Sequence, residues 1–189
     1  MNSPALRAVA ALSLSAGLAV AAPTQAEAAS SKCSIVKSST IAGYNFSTMP
    51  TQRVCSQSLT HGTSGVAKLA KKAIVVNYSA NRTTNQQVRK ATLHEMTHHV
   101  EYRTTTAKRA KLYTYVGLGG AKGNYFAVKD AYYYNGSLAR WKQSPRERLA
   151  ESVVNCTYGS PNHKGMKLVP KSQCKSFLKD YKAAIAVAR

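Results

Sequence analysis

The sequence predicts an α+β fold, mainly helical, with a small N-terminal sheet and two disulfides. Three observations carry this. Thr84 to about Tyr102 shows helical periodicity behind a capping signal. Two further helical segments, after Ser144 and after Ser172, fill the C-terminal part. Ahead of them lie a short β-branched run, Ile74-Val75-Val76, and Ser/Thr/Gln-rich segments that contain Cys33 and Cys55.

The elements follow in order. Residues 1–28 read as a secretory signal. Arg7 is its basic residue, Val9 to Ala22 is its apolar run, and Ala26 and Ala28 form an A-x-A pattern with cleavage after Ala28, or alternatively after Ala26. That run is short and small-residued for a membrane span, and no second long apolar run follows, so no transmembrane segment is expected. Residues 29–189 then form a single domain of about 160 residues, enough for a real core. Residues 29–62 read as loops with short strands. Ser64 to Lys72 looks helical, with Val66, Leu69 and Ala70 on one side. Ala73 to Tyr78 reads as a buried strand, and as the edge on which an extended peptide would pair.

Thr84-Asn-Gln-Gln87 fits a capping box that opens the first long helix, in which Leu93, Met96 and Val100 make one apolar stripe. Thr106 to Val116 is a second helix, stopped by Gly117, Gly119 and Gly120, and 117–126 reads as a mobile loop. Residues 130–141 carry no clear pattern beyond Tyr132, Tyr133 and Tyr134 in a row. Ser144-Pro145-Arg146-Glu147 opens a helix that runs to about Cys156, with Ser at N-cap, Pro at N1 and Glu at N3. A last helix runs from Ser172 to about Val187, packing through Phe177, Leu178, Tyr181 and Ile185.

An exported chain with four cysteines suggests two disulfides. Of the three pairings, Cys33–Cys55 and Cys156–Cys174 close modest local loops. No C-x2-C pair supports a zinc knuckle. The net charge is +20, with Lys and Arg spread along the chain, which favours an anionic partner such as a cell-wall polymer or surface. No motif accompanies the charge that would point to specific nucleic-acid binding. After the signal only six carboxylates remain: Glu95, Glu101, Asp130, Glu147, Glu151 and Asp180.

Against that scarcity stands Thr92-Leu-His94-Glu95-Met-Thr-His98-His99-Val100. On a helix, His94 and His98 lie one turn apart and reach one ion, while Glu95 reaches a water on it. The pattern H-E-x-x-H therefore points to zinc held by His94 and His98, with Glu95 as general base. His99 is one step round the helix and reads as an outer or surface histidine. His61 and His163 lie elsewhere without a helical partner. No third histidine follows at metal-ligand spacing, so the third ligand is expected to be a carboxylate.

Pro145-Arg-Glu147-Arg-Leu-Ala-Glu151-Ser resembles the second motif of the gluzincin metallopeptidases, Glu-x-x-Ala-Glu on a downstream helix. The resemblance covers about a third of the chain. It implies a zincin-like fold, Glu147 as third zinc ligand and Glu151 as the carboxylate that orients a ligand histidine. Glu147 also fits as the Glu of a capping box, in which case Glu151 becomes the ligand. The HEMTH segment is also similar to deuterolysin-type peptidases, whose third ligand is an Asp in Gly-Thr-x-Asp-x-x-Tyr-Gly. Asp130-Ala-Tyr-Tyr133 keeps the Asp and Tyr but lacks the flanking glycines, which makes Asp130 the alternative ligand. Both peptidase types stabilise the oxyanion with Tyr, His or Arg, and Tyr133 is the candidate here. The function expected is a secreted, extracellular zinc endopeptidase acting on protein or peptide. The alternative is a basic exported wall- or polyanion-binding protein with a vestigial or structural metal site.

Overall fold

The computed structural model describes residues 33–36, 41–49, 52–56, 65–69, 73–76, 85–117 and 138–189. The signal segment, the Thr84 cap, residues 118–126 of the expected 117–126 loop, Asp130 and Tyr133 lie outside the described residues.

The described residues are mostly helical. Four short strands precede the helices: β1 (Cys33–Val36), β2 (Gln52–Ser56), β3 (Gly65–Lys68) and β4 (Ala73–Val76). They are ordered β1-β2-β4-β3, with β2 and β4 parallel and the other two pairs antiparallel. Two expectations change here. Ser64 to Lys72 is not a helix, because Gly65–Lys68 pairs with β4 as a strand. An isolated helix of that length is unstable without packing, and ladder partners outweigh its weak periodicity. Nor is Ala73–Val76, the described part of the expected edge strand, an edge, since β4 has neighbours on both sides and the outer strands are β1 and β3.

Among the described residues five α-helices follow: α1 (Asn85–Arg103), α2 (Thr106–Tyr115), α3 (Leu138–Gln143), α4 (Pro145–Tyr158) and α5 (Cys174–Ile185). Thr105 caps α2 through its side chain, which accepts the Lys108 amide. Pro145 sits in the first turn of α4, where a missing N–H costs nothing. Gly159 ends α4 at φ 76, a left-handed conformation suited to glycine, and its N–H bonds to Asn155 O.

Helix α1 is central among the described elements. It packs against α4, α5, β3 and β4. Leu93, Met96 and Val100 are all buried, as their stripe requires. Each contributes about 1.5–3 kcal/mol by leaving water. Burial, however, goes all the way round from Lys90 to Glu101. His99 is therefore fully buried and not on the surface. The reason is tertiary, since neighbours cover every face of this helix. On α5, Phe177, Tyr181 and Ile185 are buried and Leu178 packs beside them.

Among the described residues there is one disulfide, not two: Cys156–Cys174, with Cα atoms 5.3 Å apart, ties α4 to the start of α5. The side chains of Cys33 and Cys55 lie outside the described residues, although their backbones are direct partners in the β1–β2 register. No described helix is long and apolar enough to cross a membrane.

Candidate metal centre

A buried helix that carries His94, Glu95, Thr97, His98, His99 and Glu101 has a polar load that must be matched from elsewhere. Thr97 is satisfied internally, through Leu93 O at 2.8 Å and the Tyr181 hydroxyl at 3.0 Å. His94 and His98 are matched by carboxylates.

His94 and His98 stand edge to face, with ring centroids 4.9 Å apart. Their Nε2 atoms are separated by 3.2 Å. The first turn of α4 brings Glu147 onto both, with Oε2 2.9 Å from His94 Nε2 and 3.5 Å from His98 Nε2. A tetrahedral ion bound at ~2.0–2.1 Å separates its ligand atoms by about 3.3–3.4 Å. The observed triangle of 2.9, 3.2 and 3.5 Å brackets that edge. The group His94, His98 and Glu147 could therefore hold a metal ion. Two imidazole nitrogens and one carboxylate suit a borderline first-row ion, and their geometry alone does not choose among such ions. Ser144 makes no side-chain capping bond, and the Glu147 carboxylate is turned to the histidines.

The far side of each imidazole also faces a carboxylate. Glu151, one turn along α4 from Glu147, places Oε1 3.1 Å from His94 Nδ1. That contact is an ion-pair contact. The other Glu151 oxygen accepts the Asn162 amide at 2.8 Å and the His163 amide at 3.4 Å. Gly159 makes this arrangement possible by turning the chain back after α4. His98 Nδ1 faces Glu101 Oε2 at 3.6 Å.

The electrostatics follow from this crowding. Burial disfavours the His94 imidazolium, but contacts with Glu147 and Glu151 outweigh it and push its pKa up to about 10. His98 is likewise raised well above its ordinary value, with Glu147 and Glu101 overcoming burial. Burial would raise Glu147, yet the two histidines hold it far below the usual carboxylate range. Glu151 is lowered by His94 against the same burial cost. Such mutual stabilisation of opposite charges is what a bound cation would replace.

Glu95 is the exception, because burial raises its pKa despite the nearby histidines. The Ala67 backbone N–H of β3 donates to it. Its side chain lies directly over Gly65.

Sequence reading had set His163 apart as unconnected. The fold brings it in, through its amide on Glu151 and through electrostatic coupling of its ring to Glu151, His94 and Glu147. The ring stands edge-on to Trp141, 4.7 Å between centroids. Glu101 is the second residue that sequence reading passed over. Its only sequence signal was the three-residue step from His98. Asp130 and Tyr133 lie outside the described residues, so the described centre is built from α1 and α4.

No family profile, curated protein or solved structure matches this chain. The reading of the centre therefore rests on its own chemistry.

Proposed function

We propose that the protein is a secreted zinc-dependent endopeptidase of gluzincin-like type. The observation that carries this is the convergence of His94 Nε2, His98 Nε2 and Glu147 Oε2 on one point, with Glu95 next to His94 on the same turn of α1. Zinc bound there supplies the Lewis acid that acidifies water and polarises a carbonyl. The chain does the rest. His94, His98 and Glu147 hold the ion, and Glu151 orients His94. Glu95 takes a proton from the water that attacks the scissile carbonyl and returns it to the departing amine nitrogen. The oxyanion role for Tyr133 rests on the peptidase resemblance. The outer edge of β3, beside Glu95, is where an extended substrate would align.

The test is metal content of the purified mature protein, followed by a peptide-substrate screen with Glu95→Gln as the inactive control. One zinc per chain and hydrolysis lost in Glu95→Gln support the reading. No zinc after remetallation defeats it.

A second reading has its own observation. Lys171, Lys175, Lys179 and Lys182 are all exposed, at steps of four, four and three residues along the last helical segment. At 1.5 Å per residue they form a basic stripe ~16 Å long on the face opposite Phe177 and Tyr181. In this reading the chain holds an anionic cell-wall polymer through that stripe. Binding that falls steeply with salt and survives Glu95→Gln supports it. Retention unaffected by changing the four lysines to Glu removes it.

A further inference from the structure

We infer that Glu101 is the positioning residue for His98, the counterpart on α1 of Glu151 behind His94. This rests on the metal-centre reading above. Glu101 is fully buried, three residues after His98 on the same helix. One of its oxygens is pinned, because Oε1 accepts the Tyr113 hydroxyl at 2.5 Å and lies 3.6 Å from Arg146 Nε. The other, Oε2, is buried with no hydrogen-bond donor among the described residues and lies 3.6 Å from His98 Nδ1. A buried carboxylate oxygen left in this state is costly, and the Nδ1–H of His98 is the donor that faces it.

The main chain is fixed as well. Arg109 donates Nε to the Glu101 carbonyl at 2.6 Å and one terminal nitrogen to the Tyr102 and Thr104 carbonyls at 3.0 and 2.8 Å. The end of α1 therefore cannot swing, and Tyr113 decides which way the carboxylate points. With its proton on Nδ1, His98 would keep the Nε2 lone pair for an ion at the point on which His94 Nε2 and Glu147 Oε2 also converge. Arg146, the residue before Glu147, ties this arrangement to α4, so helices α1, α2 and α4 converge on one carboxylate. Its counterpart behind His94 relies on backbone amides of the loop after α4. The two ligand histidines are thus oriented by separate parts of the fold.

The experiment is zinc affinity by competition with a chromophoric chelator, on the wild type, Glu101→Gln, Glu101→Ala and Tyr113→Phe. Metal-free far-UV circular dichroism and urea midpoints run alongside. Loss of an outer carboxylate weakens metal binding about 10–100-fold. Glu101→Ala is expected to fall in that range. Glu101→Gln, which keeps the shape, is expected to weaken binding about tenfold with an unchanged fold, and Tyr113→Phe by less. Glu101→Gln binding zinc within about twofold of wild type overturns the assignment, even if Glu101→Ala fails to fold. Wild type that binds no zinc overturns the metal centre itself, a result distinct from wild type binding with Glu101→Gln unchanged.

Discussion

Gly65 and Glu95 touch so closely that no side chain fits between them. A Cβ at position 65 would lie 2.7 Å from Glu95 Oε1 and 2.8 Å from its Cγ. The outer strand and the proposed general base are therefore set against each other through a missing methyl group. Gly65→Ala must displace the carboxylate. Misplacing a catalytic group by an ångström costs up to about 100-fold. The expected outcome is kcat reduced about 10- to 100-fold with full zinc content. Unchanged kcat at equal zinc would show that Glu95 does not act from this position.

Glu147 and Glu151 sit on the same face of α4 but do different work. Glu147→Ala removes an atom of the ligand triangle and is expected to leave the protein without zinc after dialysis. Glu151→Gln keeps the ligands and loosens only the His94 orientation, so zinc affinity should fall about 10–100-fold while stoichiometry stays at one. Metal analysis with a competition titration separates them. Zinc lost only from Glu151→Ala would exchange their roles. Zinc lost only from Asp130→Ala would move the third ligand to the deuterolysin-like position.

Zinc binding should release protons and should strengthen with pH. In the metal-free protein His94 is raised from 6.5 to about 10, so near neutrality it carries a proton that the metal must displace. The raised pKa stabilises the metal-free fold fully below 6.5, and this stabilisation is lost as pH rises through about 10. Glu147 has the opposite sign: its lowered pKa stabilises above 4.5, and that contribution is lost as pH falls through the lowered value. The metal-free melting temperature should therefore be highest between 4.5 and 6.5, and the zinc-induced increment should grow above that window. Melting curves with zinc and with chelator test this. An increment independent of pH would count against histidine ligation.

The Cys156–Cys174 bridge closes a loop with a sequence separation of 18. By the chain-entropy estimate it contributes about 3 kcal/mol. Replacing both cysteines with serine should lower the melting temperature by about 6–12 °C in a domain of this size. A fall of a degree or less would mean that α5 docks through Phe177 and Tyr181 alone.

Cys33 and Cys55 are opposed in the β1–β2 register. Directly opposed antiparallel residues come within about 4.5–5.5 Å, which a disulfide spans. Non-reducing peptide mapping should return a linked Cys33–Cys55 peptide. Free thiols at both positions would remove the second disulfide.

The sequence alone determined the features that repeat with the helix. His94 and His98 are neighbours because four residues make one turn. Ser144-Pro145-Arg146-Glu147 starts a helix because proline fits only its first turn. Glu151 shares a face with Glu147 for the same reason as the two histidines. These are local rules, readable one turn at a time. Only the tertiary structure decided what faces what. Gly65–Lys68 became a strand because β4 offered a ladder. His99 became buried because α4, α5 and the strands cover α1 on all sides. Glu101 came to lie behind His98, and His163 beside Glu151, because α2, α4 and the turn at Gly159 brought distant segments together. Side-chain chemistry at a centre like this depends on contacts between segments far apart in the chain, and periodicity carries no information about those.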